Sequence, residues 1–276
     1  MIPIKDENPT HHAPIATLAI ILACAAIYLF WQPSPFAETG ADTVFNVEHA
    51  TIPCELREGE ALTIDELRAT FDQFGRAEPC GAGSPESPQA FPEKSVWLSV
   101  LVSMFLHGSL LHVAGNLLFL WIFGNNIEDH LGPLRFVAFY VVGGVVATLT
   151  HVALNLGSTI PMVGASGAIA AVMGAYMVWF PDAPVRTVIA FFFITIIRIR
   201  AKWVLGFWFL LQFLTSPNSG VAWAAHVGGF VFGAVVALAV RASPALQRLL
   251  WRRSARPAPQ SRWDPTGGAG YAWFDR

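Results

Sequence analysis

Four residues of this chain have the types and spacing to carry out acyl transfer. Ser166 lies between glycines in Gly164-Ala165-Ser166-Gly167, and His226 opens Ala225-His226-Val227-Gly228-Gly229-Phe230-Val231-Phe232-Gly233. His112 and Asn116 sit four apart in Leu110-Leu111-His112-Val113-Ala114-Gly115-Asn116, on one face if the stretch is helical. A serine hydroxyl becomes a competent nucleophile when a neutral imidazole takes its proton, and the oxyanion that follows needs preorganised donors. His226 suits the base; His112, Asn116 and the backbone N–H of Ser166 suit the oxyanion site.

Each residue also has a plainer reading. Ser166, Ala170 and Gly174 form a small-residue stripe on which another helix can pack, a lone histidine is often structural, and a lone asparagine often bonds a neighbouring helix. The elements that carry them decide between the readings. The chain has 276 residues, 54% hydrophobic and 13% charged, with a mean hydropathy of +0.50. Soluble domains carry about a quarter charged residues, so this is a polytopic membrane protein.

In chain order, residues 1–13 read as an N-terminal segment and 14–31 as a first span, with too few leading basic residues for a signal peptide. A faint lipoprotein-like box at Cys24 is outweighed by the apolar run continuing to Trp31. Residues 32–95 are polar and rich in Pro and Gly, a large loop with amphipathic pieces such as Leu62 to Phe71. It holds Cys54 and Cys80, which on an oxidising side of the membrane can form a disulfide worth roughly 3 to 4 kcal/mol by loop entropy, two unpaired thiols being the alternative.

Residues 96–241 form the core. Val96 to Leu106 reads as an embedded tail of the loop, Leu110 to Ile127 as the second span, and Gly124 to Arg135 as a polar turn. Leu134 to Leu156 is the third span and Gly157 to Val163 a polar connector. Ser166 to Phe180 is the fourth span, ended by prolines. Thr187 to Ile197 is too short to span and reads as an interfacial connector. Trp203 to Thr215 is the core of the fifth span, Ser216 to Gly220 a short loop and Val221 to Val240 the sixth span. Residues 242–276 read as a basic, largely disordered tail, with an interfacial start at Pro244 to Arg253.

Every Lys and Arg outside the long loop falls in segments that this layout places on the cytoplasmic side, so both termini are expected there. Ser166, His226, His112 and Asn116 then share one depth near the outer surface, on three different spans. No acidic residue lies inside the spans, which leaves a Ser-His dyad in place of a triad.

The combination of His-x-x-x-Asn in the second span, Gly-x-Ser-Gly opening the fourth and Ala-His-x-x-Gly-x-x-x-Gly in the sixth resembles the rhomboid intramembrane serine proteases. The resemblance covers about Val96 to Arg241. It implies an all-α, six-transmembrane-helix bundle with a large extracytoplasmic first loop, in a bacterial plasma membrane. It further implies Ser166 as nucleophile, His226 as general base and acid, and His112 with Asn116 as oxyanion donors. Substrates would be single-pass or polytopic membrane proteins, cut near the outer end of a transmembrane helix that enters by movement of the fifth span and the following loop. Beyond those substrates and the lipid bilayer, the scheme calls for no cofactor, metal or nucleic acid.

Two features depart from the family. Many rhomboids carry an aromatic residue four after the serine, against which the base packs, where this chain has Ala170; and the first loop lacks the frequent Trp-Arg pair, Val96-Trp97-Leu98 being the nearest candidate. Other classes fit less well. His-Glu-x-x-His is absent, and position 168 of the Gly-x-Ser-x-Gly elbow is alanine. A transporter would place its polar cluster near the midplane. A catalytically inactive rhomboid-like protein that binds transmembrane segments would have no need of both Ser166 and His226.

Overall fold

Long apolar runs punctuated by Gly and Pro become helices, and one of those helices is buried by its neighbours. The computed structural model describes residues 1–34, 36, 40–72, 80–190, 194–215 and 221–251. The helices are α1 (Ile15–Phe30), α2 (Gly40–His49), α3 (Pro53–Glu58), α4 (Ile64–Asp72), α5 (Val96–Val102), α6 (Leu110–Leu131), α7 (Pro133–Leu154), α8 (Ser166–Trp179), α9 (Ala201–Gln212), α10 (Trp223–Ala242) and α11 (Pro244–Leu250). The Ser216–Gly220 loop and the tail beyond Trp251 lie outside the described residues.

Among the described residues, α6, α7 and α10 are long and apolar enough to cross a membrane, while α1 and α8 are apolar but shorter. The outward faces of these helices are apolar too, with Leu22, Leu111, Leu134, Leu154 and Leu238 exposed, as suits lipid rather than water. The chain is a mostly helical, multi-pass membrane protein.

Central to the bundle is α8, whose residues Gly167 to Tyr176 are all buried. Its closest neighbour is α10. A Cβ at Gly233 would collide with the carbonyl of Ala171, one at Gly229 with the carbonyl of Gly167, and one at Gly174 with the carbonyl of Phe230. The packing stripe on α8 is therefore Gly167, Ala171 and Gly174, which shares only Gly174 with the stripe expected from the sequence. Glycine here lets two backbones touch.

Three expectations need correction. The fold is not all-α, because β1 (Ile2–Asp6), β2 (Pro184–Ala190) and β3 (Ile194–Arg200) form an antiparallel sheet in the order β1-β2-β3. The supposed connector Thr187 to Ile197 falls within β2 and β3, which pair antiparallel, apart from residues 191–193, which lie outside the described residues. The N-terminal residues supply its third strand, pairing Ile2 with Val188 and Asp6 with Val185. Thirdly, the expected polar turn is the last part of α6, which ends only at Gly132, whose φ of 78° leads directly into Pro133 at the start of α7.

That polar end of α6 is satisfied by the N-terminal segment. Glu128 accepts from the backbone N–H groups of Ala16 and Thr17 and from the Thr17 hydroxyl, at 2.7 to 2.8 Å, and so caps α1 from outside. Asp129 accepts from the His11 N–H and pairs with His12. Asp6 accepts from Asn126 and from the hydroxyl of Tyr176, on α8. The sheet thus lies at the end of the bundle opposite to Ser166.

Asp6 carries a pH signature. Burial pushes its pKa up from 3.8 to about 6, against the lowering effect of the bonds from Tyr176 and Asn126. Between about pH 4 and 6 the native carboxyl therefore holds a proton that the unfolded chain releases, and stability falls as pH rises through that window. Two pKa steps amount to about 3 kcal/mol at most. Asn in place of Asp6 keeps an acceptor for both partners without titrating. The apparent melting temperature of the wild type in detergent, relative to that of Asp6→Asn, is expected to drop between pH 4 and pH 7; parallel profiles would show that Asp6 does not titrate as described.

On the Ser166 side the long loop folds over the bundle. Cys54 and Cys80 are joined in a disulfide, with Cα atoms 5.7 Å apart. Glu55 and Lys94 form a buried ion pair at 2.6 Å, and Lys94 also donates to the Val47 carbonyl. Burial pushes the Glu55 pKa up and the Lys94 pKa down, each partly offset by its partner.

Candidate active site

The helices that carry Ser166, His226, His112 and Asn116 all begin at the same end of the bundle. Ser166 is the first residue of α8, so its N–H and those of Gly167 and Ala168 precede the first intrahelical bond, which runs from Ile169 to Ala165. His226 lies in the first turn of α10, directly above the Gly229 and Gly233 contact. The backbones approach so closely there that the two side chains meet: His226 Nε2 is 2.8 Å from Ser166 Oγ. Both side chains are half-buried.

The tautomer that suits a base has its proton on Nδ1. That nitrogen lies 2.7 Å from Gln212 Oε1, at the end of α9. The Trp208 ring also stands beside the imidazole, with centroids 5.6 Å apart. Gln212 was not among the residues singled out from the sequence, because one amide near the end of a span reads as interfacial. Ala170 on α8 is fully buried and leaves the imidazole no aromatic neighbour on that helix; α9 supplies one in its place.

His112 and Asn116 enter from α6. Ser109 caps this helix by accepting from the His112 N–H, which sets His112 in the first turn. The Gly108 N–H donates to His112 Nδ1 at 3.4 Å, leaving Nε2 to carry the ring proton. A Cβ added at Gly164 would lie 2.8 Å from that Nε2 and 3.5 Å from Ser166 Oγ, so imidazole and hydroxyl flank one point of backbone. Gly164 has a φ of +130°, which disfavours any side chain regardless of space. Asn116 is buried, and its Nδ2 has no hydrogen-bond partner among the described residues.

The segment before Ser166 is held by the long loop, a function that the sequence left open. Thr51 donates from its N–H to Ser103 Oγ at 2.6 Å, and its carbonyl accepts from Met162 at 2.7 Å. The Ser103 carbonyl accepts from the Gly164 N–H at 2.9 Å. Gln32, just past α1, bonds both the N–H and the carbonyl of His107. Loop, α1 and α5 thereby fix the two backbone stretches that present Ser166 and His112.

Comparison with known proteins bears on this geometry. The family model of the Rhomboid domain matches residues 94–243. Over 147 residues the chain is 31% identical to the presenilin-associated rhomboid-like protein A, mitochondrial, of Danio rerio, covering 51% of this chain and 37% of that protein. It is 30% identical over 159 residues to the rhomboid protease AarA of Providencia stuartii, covering 52% of this chain and 56% of the relative. With the rhomboid protease GluP of Bacillus subtilis (strain 168) the identity is 32% over 146 residues, covering 52% and 26%. The match thus spans less than two thirds of the length of each of these relatives.

Proposed function

The chain belongs to the rhomboid family, and from that membership we propose that it is an intramembrane serine endopeptidase acting through a Ser166-His226 dyad. The observation that carries this reading is the 2.8 Å approach of His226 Nε2 to Ser166 Oγ, across a helix contact that glycines make possible. A structural histidine needs a partner, but not a serine at a helix start whose own N–H and the next two have no intrahelical acceptor, with the His112 imidazole beside it.

His226 Nε2 takes the Ser166 hydroxyl proton as Oγ bonds to the scissile carbonyl carbon. The resulting oxyanion accepts from His112 Nε2–H, Asn116 Nδ2–H and the Ser166 N–H. On collapse, the C–N bond breaks and the imidazolium gives its proton to the leaving amine. Water then attacks the acyl-serine ester with His226 again as base, releasing the carboxyl product and restoring the hydroxyl.

The membrane orientation follows from charge. Arg135, Arg186, Arg198, Arg200, Lys202 and Arg241 gather at the sheet end of the bundle, which we place in the cytoplasm, with both termini. Ser166 then opens to the outer side of a bacterial plasma membrane, the disulfide-bonded loop lies over it, and α1, α6, α7, α8, α9 and α10 are the six spans. Substrates are membrane proteins with a transmembrane helix whose outer end reaches Ser166.

A serine-reactive fluorophosphonate tests the reading directly. The purified protein is expected to take up the probe on Ser166, found by peptide mass spectrometry, and to lose it in Ser166→Ala. Absence of any adduct under conditions that label a known serine hydrolase would favour a binder that does not cut.

A further inference from the structure

Gln212 is buried, at 7% exposure, whereas Phe207, Leu210 and Leu211 on α9, and Phe213 and Leu214 just after it, are exposed. A polar side chain turned inward from an apolar helix is commonly interhelical glue. Two bonds narrow this one further. Gln212 Nε2 donates to the Trp208 carbonyl, one turn back, at 2.8 Å, while Oε1 faces His226 Nδ1 at 2.7 Å.

The first bond decides which way the amide faces. Turned over, its oxygen would oppose the Trp208 carbonyl oxygen, and its NH2 would point at Nδ1. Nδ1 would then have to accept, which would put the ring proton on Nε2, against the Ser166 oxygen. The orientation that satisfies both ends accepts from Nδ1–H and leaves the Nε2 lone pair on the serine hydroxyl. An amide also does this without the desolvation cost a buried carboxylate would carry.

We propose that Gln212 is a positioning residue for the base: it selects the Nδ1–H tautomer of His226 and aims Nε2 at Ser166. This rests on the protease reading for its consequence in turnover, though not for the tautomer itself. It takes over the role left empty by Ala170 and by the missing acidic partner. It also means that the base comes from α10 but its orientation from α9.

The test uses the full-length protein in detergent or lipid nanodiscs, with Gln212→Met, which keeps length but loses the acceptor, and Gln212→Glu, which keeps an acceptor oxygen. Gln212→Met is expected to lower kcat by about tenfold to a thousandfold with little change in KM, and Gln212→Glu to stay within about tenfold of wild type. Nitrogen NMR of 15N-histidine protein, with the His226 signals identified by their loss in His226→Ala, gives a readout independent of turnover. Wild type should show His226 Nδ1 protonated and Nε2 bare, and Gln212→Met should lose that preference. If the wild-type spectrum shows Nε2 protonated, or if Gln212→Met keeps both the wild-type kcat and the wild-type spectrum, the proposal is overturned. A wild type that shows the tautomer and its dependence on Gln212 but cuts no substrate would leave the positioning intact and overturn the protease reading instead.

Discussion

Cleavage of a membrane-anchored reporter should fall to background in Ser166→Ala and in His226→Ala, and fall no further when the two are combined. The expectation follows from the proposed dyad having one nucleophile and one base. With the hydroxyl gone, the proposed site has lost its nucleophile. With the imidazole gone, the hydroxyl keeps its proton at neutral pH, since among the described residues His226 is the side chain that bonds it. Residues that act as a unit are non-additive, and each loss is on the order of 10⁴-fold or more. Stability should change little, because Ser166→Ala removes one exchangeable hydrogen bond at a half-buried helix start and leaves the Gly167, Ala171 and Gly174 contact with α10 untouched. Gel-based detection of both reporter fragments, alongside melting curves, checks both halves. Full activity in either single variant would remove the dyad.

The parts of this molecule that could be read from its sequence were those where a local rule had no competitor. In an apolar helix a serine among glycines or a histidine above a Gly-x-x-x-Gly run stands out, because hydrocarbon offers a polar group no water. The sheet was hidden for the opposite reason. Thr187 to Ile197 is β-branched enough to read as strand, but its edge partner Ile2–Asp6 comes from the far end of the chain, and such pairing leaves no local trace. The polar end of α6 misled in a similar way. Asn125 to His130 looks like a turn until Glu128, Asp129 and Asn126 are seen to bond the segment from Asp6 to Thr17, which makes helix the better-satisfied state. Gln212 could have been found by asking which neutral acceptor might replace the missing acid near the base; among the buried residues of α9 it is the one with a side-chain acceptor.

The proposed oxyanion donors carry the second large effect, and here rate and stability are expected to move apart. His112→Ala and Asn116→Ala should each slow turnover by about tenfold to a thousandfold, chiefly in kcat, since the donors bind an oxygen whose negative charge develops only in the transition state. The two are placed differently. His112 is held by the Gly108 N–H on Nδ1 and lies against Gly164, so its loss also leaves space beside the nucleophile. Asn116 Nδ2 is buried without a partner among the described residues, an arrangement that costs stability in the resting protein. Asn116→Ala should therefore melt at or slightly above the wild-type temperature while turning over more slowly. A structural asparagine predicts the reverse, lower stability with activity reduced only as far as the fold is. Kinetics on a transmembrane substrate together with thermal melts separate these outcomes, and wild-type rates in both variants would take His112 and Asn116 out of the oxyanion site.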